Sequence, residues 1–306
     1  MADLELFSGI YAAPPPHLAA APDSARQLSP LYPGAHNFDA PSPGSYSSIV
    51  MLAPPGTLER RHALAQALIA LAPGGTLTAL APKDKGGARL RAELEAFGCA
   101  VDESSKSHHR ICVAYRPDRP TGIEGAIRDG APRLLETIGL WTQPGIFSWD
   151  RIDPGSVLLV ERLPELSGKG ADLGCGLGFL AHHVLHSQGI ERIDLVEIDR
   201  RAIECAKRNV MDPRAHFHWA DATGATTRLA SLDFVVMNPP FHNSGAEDKT
   251  LGQNFIRRAA EILRPGGRCW LVANRHLPYE ATLTAAFKSV RLDHEESGFK
   301  IFEARR

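Results

Sequence analysis

The chain has 306 residues, 43 % of them apolar, with 34 Lys and Arg against 35 Asp and Glu. At roughly 100–200 residues per domain the length predicts two domains, and a formal charge of −1 excludes a polycationic coat for nucleic acid while leaving room for a local basic face. No apolar run reaches the roughly 18 residues of a membrane span, and five scattered cysteines (Cys99, Cys112, Cys175, Cys205 and Cys269) form no C-x-x-C pair, which points to a reducing cytoplasm and gives no metal site.

The start, Met1 to Glu5, is acidic and does not read as a secretory signal. Residues 1–45 are rich in Pro, Ala and Ser and read as a loosely structured lead-in. From Ser48 the pattern becomes α/β. Ile49 to Leu52 reads as a buried strand, and Leu64, Leu68 and Leu71 follow helical spacing. Pro73-Gly74-Gly75 then turns into a strand at Thr76 to Leu80. Leu90, Leu94 and Phe97 share a second helical face, and strands near Val101 and at Arg110 to Tyr115 close a first α/β domain over 46–117. Residues 118–143, dense in Pro and Gly, read as a linker with a short helix near Arg133 to Ile138.

Residues 144–306 run as βαβα. Candidate strands are Gly170 to Leu173, Arg192 to Glu197, His216 to Ala220, Asp233 to Met237, Arg268 to Ala273, Ser289 to Asp293 and Phe299 to Ala304. Strands alternating with helices imply a mostly parallel sheet covered on both faces. The last two are joined too closely for a parallel crossover, so an antiparallel final strand is expected.

An internal repeat runs through the chain. Met51-Leu52-Ala53-Pro54-Pro55 echoes Met237-Asn238-Pro239-Pro240-Phe241, and Leu71-Ala72-Pro73-Gly74-Gly75 echoes Leu263-Arg264-Pro265-Gly266-Gly267. Asp102-Glu103-Ser104, followed by Arg110 to Ala114, echoes Glu295-Glu296-Ser297, followed by Lys300 to Ala304. The first domain therefore reads as a decayed copy of the second. It has no glycine-rich loop, and Ala53 stands where the second copy has Asn238.

Asp172-Leu173-Gly174-Cys175-Gly176-Leu177-Gly178-Phe179 takes a strand end into G-x-G-x-G and then a helix. Glycines permit a tight turn and close approach of backbone to ligand. The dinucleotide form G-x-G-x-x-G would need its third glycine at Phe179, so a smaller nucleoside ligand fits better. Glu197, 19 residues after Gly178, ends the next strand with Ile198 beside it and can accept both hydroxyls of a ribose. Asp199 reads as the cap of the following helix. Asp221, with Ala222, follows a further strand and can accept from an adenine amine, while Asp172 is placed to meet an ammonium. Ribose, adenine amine and ammonium together describe S-adenosylmethionine.

Asp233 to Phe241 is an apolar strand ending in Asn238-Pro239-Pro240-Phe241. The prolines fix the local backbone and cannot donate, so the Asn238 amide and a stiff carbonyl offer two acceptors for a planar NH₂ group. Orienting that amine aims its nitrogen at the sulfonium methyl, and positioning alone supplies several kcal/mol. Phe241 can stack on the base that carries the amine.

On these residues the stretch from Pro144 to Arg306 resembles the bacterial ribosomal RNA small-subunit methyltransferase C family, together with its large-subunit relative. The resemblance is carried by Pro144-Gly145-Ile146-Phe147-Ser148 with Asp153 and Gly155-Ser156, by Asp172 to Gly176, and by Asn238 to His242. Val272 to Tyr279 and Phe299-Lys300-Ile301 complete it. It implies a class I S-adenosylmethionine methyltransferase, Rossmann-like, with a seven-stranded sheet and an antiparallel last strand, preceded by a degenerate, shortened methyltransferase-like domain. It further implies transfer to guanine N2 in ribosomal RNA, the small subunit favoured. The RNA would be a partner within an assembled or partly assembled subunit, with no membrane or metal involved. His242 reads either as a proton acceptor or as a solvent-facing residue, Tyr279 as a base-pocket or a core aromatic, and Phe147 as a cover over the cofactor.

His182, His183 and His186 have spacing a metal could use, but no matching acid or thiol is evident. Two basic clusters are candidates for RNA contact: Arg257, Arg258, Arg264, Arg268 and Arg275, and Lys83, Lys85, Arg89 and Arg91. Competing readings are an adenine-N6 or glutamine-N5 methyltransferase, since Asn-Pro-Pro-aromatic is shared with both, and a non-catalytic RNA-binding assembly factor on the same fold.

Overall fold

Runs of Val, Ile, Leu and Ala bounded by Pro and Gly build two main sheets, of six and seven strands. The computed structural model describes residues 6–38, 42–224, 228–240, 242–243, 246–247 and 249–306. The chain divides into Met1–Pro132 with Gln143–Gly145, and Arg133–Thr142 with Ile146–Arg306.

The first unit contains β1 (Phe7–Tyr11), β2 (Arg26–Gln27), β3 (Tyr46–Leu52), α1 (Thr57–Ala70), β4 (Leu71–Pro82), α2 (Leu90–Ala96), β5 (Ala100–Lys106), β6 (His109–Tyr115) and α3 (Ile123–Gly130). Its sheet runs β2-β1-β3-β4-β6-β5, with β6 antiparallel to both neighbours. Three expectations are corrected here. Phe7–Tyr11 and Arg26–Gln27 pair in parallel within this sheet instead of forming a loose lead-in. Both are too short to show periodicity, and the prolines around them hide the signal. The proposed linker likewise holds α3, whose Gly130 lets it press against His62 of α1, where any side chain would collide, and the short helix expected near Arg133 to Ile138 is instead a strand, Arg133–Leu135, paired antiparallel with Leu140–Thr142.

Arg60 is wholly buried in this unit. Its guanidinium makes two 2.7 Å bonds to Glu93 and donates to the carbonyls of Pro54 and Pro55. The Ala53-Pro54-Pro55 corner is thus filled by the chain's own cation.

The second unit contains β7 (Arg133–Leu135), β8 (Leu140–Thr142), α4 (Pro154–Arg162), β9 (Gly168–Leu173), α5 (Phe179–Val184), β10 (Ile190–Glu197), α6 (Arg200–Asn209), β11 (Ala215–Trp219), β12 (Leu232–Met237), β13 (His242–Asn243), β14 (Ala246–Glu247), α7 (Lys249–Ile262), β15 (Leu263–Asn274), α8 (Glu280–Ala286), β16 (Ser289–Glu296) and β17 (Phe299–Arg305). Its main sheet has the order β11-β10-β9-β12-β15-β17-β16. The pairs from β11 to β15 are parallel, and β17 is antiparallel to both neighbours. The first sheet repeats this order with one edge strand fewer. Alternation along β12 sends Val235 and Met237 into a core with α7 and α8, and Phe234 and Val236 into a core with α4, α5 and α6.

The chain leaves β9 toward β10 on one side and later enters β12 on the other. The carboxyl ends of β9 and β12 therefore flank a switch point, where open α/β sheets bind ligands. Leu173 pairs with Met237 across that gap.

One buried charge in the sheet has a measurable consequence. Asp194 of β10 accepts from Arg192 at 2.6 and 2.8 Å and contacts His218 at 2.6 Å. Burial alone would raise its carboxyl, but the His218 and Arg192 hydrogen bonds hold it below its ordinary value of 3.8. A depressed carboxyl contributes stability above its unfolded value, lost as pH falls through the folded one. The stability gap between the wild type and Asp194→Asn, read from urea denaturation, should therefore shrink between pH 6 and pH 3. A constant gap would contradict the assignment.

Candidate active site

Asp172 is the next-to-last residue of β9, and Gly174, Gly176 and Gly178 follow the strand with φ of 72°, 52° and 81°. Those left-handed values curl the loop back onto the strand ends, as the sequence requires of glycine. Gly178 is held doubly, because a Cβ there would lie 2.8 Å from Val210, the residue that ends α6 as its C-cap. Around Gly176 a Cβ would meet nothing within 4 Å, so this loop face is open.

Two side chains brace the loop. Glu197, at the tip of β10, accepts from Gly176 N at 2.9 Å through one oxygen and from Ile198 N and Asp199 N at 2.8 and 3.0 Å through the other. Burial raises its carboxyl, against the pull of the Asp199, Gly176 and Ile198 amides. Asn209 of α6 donates to the Leu177 and Trp141 carbonyls and accepts from Trp141 N at 2.7 Å, tying the loop to β8. The first unit has a counterpart of Glu197. Gln27, at the end of β2, accepts from Ala12 N, Leu28 N and Ser29 N.

Asp172 is fully buried. One oxygen accepts from Ala181 N at 3.2 Å, and the other has no hydrogen-bond partner. Burial, opposed by the Ala181 amide and reinforced by Glu197, pushes its carboxyl up to about 7. An orphaned acceptor below a glycine loop, with a carboxylate at the next strand tip, fits a cationic nucleoside. Cys175 is buried beside it and its thiol lies well above its ordinary range through burial, so it is a small residue in a tight place and no nucleophile.

A cavity at the strand ends is lined by Gly174, Cys175, Gly176 and Leu177 on one side and by Asp153, Ser156 and Asn238 on the other. Phe147, 59 % exposed, stands on its rim with Arg151 and Ile152. Pro240 approaches the loop: a Cβ on Gly174 would lie 3.9 Å from its Cδ. Pro239 is buried. The Asn238 amide donates to Asp153 Oδ2 at 2.8 Å and to Ser156 Oγ at 3.0 Å.

The structure thus brings together Gly174, Cys175, Gly176 and Asn238 around one cavity, with Pro240 against the loop. Gly178, Glu197 and Asp172 shape the loop from behind. Ile198 is 41 % exposed at the tip of β10, and Asp221 and Ala222 follow β11; none of these three lines the cavity. Asp221 is exposed and accepts from Thr223. Phe241 and the His242 side chain lie outside the described residues. Tyr279 is wholly buried in the α7–α8 core. Asp153 and Ser156 entered the sequence reading only through a resemblance. Their local signal was Asp153-Pro154, an N-cap followed by proline in the first helical turn, and the structure shows that cap accepting from Ser156 N at 2.8 Å.

The five arginines of the larger basic cluster do not form a free patch. Arg258 pairs with Glu261, Arg264 with Asp233, Arg268 with Glu303 and Arg275 with Glu295. Three of those acids are remote in sequence, so local counting missed them. His182, His183 and His186 stack edge to face, and among the described residues no group of His, Cys, Asp and Glu converges as a metal site.

Strand order, loop and proline corner together define a class I S-adenosylmethionine-dependent methyltransferase. The methyltransferase small domain family matches residues 137–303. A ribosomal RNA small subunit methyltransferase C of Pseudomonas paraeruginosa is 31 % identical over 285 residues, covering 92 % of this chain and 86 % of that protein. The protein of that name from Hahella chejuensis is 34 % identical over 175 residues, 57 % of this chain and 51 % of its own. The chain belongs to the ribosomal RNA small subunit methyltransferase C family. A solved 16S rRNA N2 methyltransferase from T. thermophilus, in complex with AdoMet and guanosine, shares the fold with a TM-score of 0.78 at 23 % identity, covering 100 % of this chain and 90 % of that one.

Proposed function

We infer that this protein transfers a methyl group from S-adenosylmethionine to the exocyclic N2 amine of a guanosine in small-subunit ribosomal RNA. The observation that carries this reading is Asn238 on the wall facing the glycine loop, with its NH₂ edge already occupied by Asp153 and Ser156. Family membership and the guanosine and AdoMet bound by the T. thermophilus relative support it.

When bound, S-adenosylmethionine supplies an electrophilic methyl on sulfur and leaves as a neutral thioether. Gly174, Gly176 and Gly178 form the cradle that would hold it, with Glu197 at the ribose and Asp221 and Ala222 toward the base. Asn238 Oδ1 and the Pro239 carbonyl accept the two N–H groups of the guanine amine, which fixes rotation about its C–N bond. By its place in the motif Phe241 would stack on the base, and Phe147, on the rim, would cover the opening. The proton leaves the alkylated nitrogen for solvent, so positioning does more here than basicity. With most of the larger arginine cluster committed to carboxylates, recognition favours RNA shaped within an assembled or partly assembled subunit, in the cytoplasm.

The test is label from S-adenosylmethionine supplied with small subunits that lack the modification. N2-methylguanosine supports the reading. Label in N6-methyladenosine or in protein glutamine supports the competing enzymes, and binding without transfer supports an assembly factor.

Asp172 gives a pH signature. A cationic ligand favours its ionised form, so below about pH 7 binding must displace a proton. Cofactor affinity should therefore fall as pH drops from 8 to 5.5, by up to about tenfold per unit below the Asp172 value. Titration calorimetry of Asp172→Asn should give weaker but flatter binding. An unchanged slope would remove Asp172 from this role.

A further inference from the structure

We propose that Asp153, with Ser156, is a positioning residue that sets which way the Asn238 amide faces and so makes its Oδ1 the acceptor for the substrate amine. This rests on the functional reading above and assigns a task to residues outside the proline corner.

Pro154 holds Asp153 in extended backbone, with φ −67° and ψ 124°. Asp153 then caps α4, accepting from Ser156 N at 2.8 Å. Leu158 and Leu159 bury α4 against the sheet, and Gly155 brings its first turn so close to Phe299 that a Cβ would lie 2.8 Å from the ring. The cap is therefore a fixed point.

A cap needs one hydrogen bond, yet this carboxylate makes a second. The same Oδ2 accepts from Asn238 Nδ2 at 2.8 Å, and Ser156 Oγ lies 3.0 Å from that nitrogen. Both amide hydrogens are thereby engaged on the α4 side. A carboxylate only accepts, so a flipped amide would set Oδ1 against Oδ2, oxygen to oxygen, and would lose the Asp153 bond; the Ser156 hydroxyl can donate or accept and follows the orientation that Asp153 sets. The preferred state is one in which Oδ1 is the remaining polar atom of Asn238 at the cavity. An amide without this clamp would present NH₂ to the substrate amine in part of the population, donor facing donor.

Two substitutions separate the cap from the clamp. Serine is as good an N-cap as aspartate but is too short to reach Asn238. Asparagine keeps an acceptor in the place of Oδ2. With small subunits lacking the modification as substrate, Asp153→Ser should lower kcat about 30-fold, with KM for subunits and cofactor Kd each within about twofold and thermal stability unchanged. Asp153→Asn should restore kcat to within about threefold of wild type, and Ser156→Ala should lower it by less than Asp153→Ser does. In an Asn238→Ala background, Asp153→Ser should cost nothing further, because its effect passes through that amide.

The proposal is overturned if Asp153→Ser retains kcat within twofold, if Asp153→Asn is as slow as the serine variant, or if Asp153→Ser slows the Asn238→Ala enzyme again. If the serine variant does not fold, the asparagine and Ser156→Ala variants decide between the same outcomes. Failure of the guanine-N2 reading shows separately, in the nucleoside that wild-type protein labels, whereas the ratio of variant to wild type tests the clamp on whichever acceptor that is.

Discussion

Asn238→Ala is expected to lower kcat by about 10³-fold while leaving S-adenosylmethionine Kd within about threefold, measured by methyl transfer to small subunits and by calorimetry. Removing one preorganised hydrogen-bonding group from a reacting centre costs about 10²–10³-fold, and here the loss also frees the substrate amine to rotate. The cofactor cradle should survive, because the loop is held by Glu197 and Asn209 rather than by Asn238. Asn238→Asp should be nearly as slow although it keeps an acceptor, since its carboxylate would face Asp153, and like charges that close disfavour ionisation. Wild-type turnover in Asn238→Ala would show that the amide does not hold the amine.

Arg60→Met is expected to destabilise the first unit by about 3–5 kcal/mol, the usual consequence of leaving one partner of a buried ion pair uncompensated. Arg60 is 0 % exposed, and the Glu93 side chain 10 %. The substitution leaves Glu93 without its two 2.7 Å bonds and strips a donor from the Pro54 and Pro55 carbonyls. Arg60→Met combined with Glu93→Leu should recover much of the loss, because replacing a whole buried pair by apolar side chains is often neutral or better. Urea denaturation of the full chain measures both. An unchanged midpoint for Arg60→Met would mean that the pair stabilises nothing.

That pair also sets the two units apart at their proline corners. The first unit has the same strand order less one edge strand, and Gln27 braces the loop after β1 much as Glu197 braces the loop after β9. It lacks the glycines, has Ala53 where the second unit has Asn238, and fills its proline corner with Arg60. These correspondences support an origin by duplication with one site retired.

Much of the second unit was legible because its signals are local. Glycine spacing marks the loop after β9, and a run from Leu232 into two prolines marks a buried strand and the corner after it. The weakest readings fall where structure depends on partners remote in sequence. Five-residue β1 is a strand because β3 lies beside it and two-residue β2 because β1 does, and no periodicity announces them. The five arginines looked like one basic face until Asp233, Glu295 and Glu303 arrived from other strands. Asp153 is 85 residues from Asn238. Its capping role can be read from Asp-Pro, but its second hydrogen bond exists only once α4 packs over the sheet.

A crystal structure of the protein with S-adenosylhomocysteine and guanosine puts the arrangement at the proline corner to the test. The guanine N2 should lie about 3 Å from both Asn238 Oδ1 and the Pro239 carbonyl, on the side of the corner that faces the cofactor sulfur. A base seated with N2 away from those oxygens, or a sulfur centre remote from the corner, would contradict it.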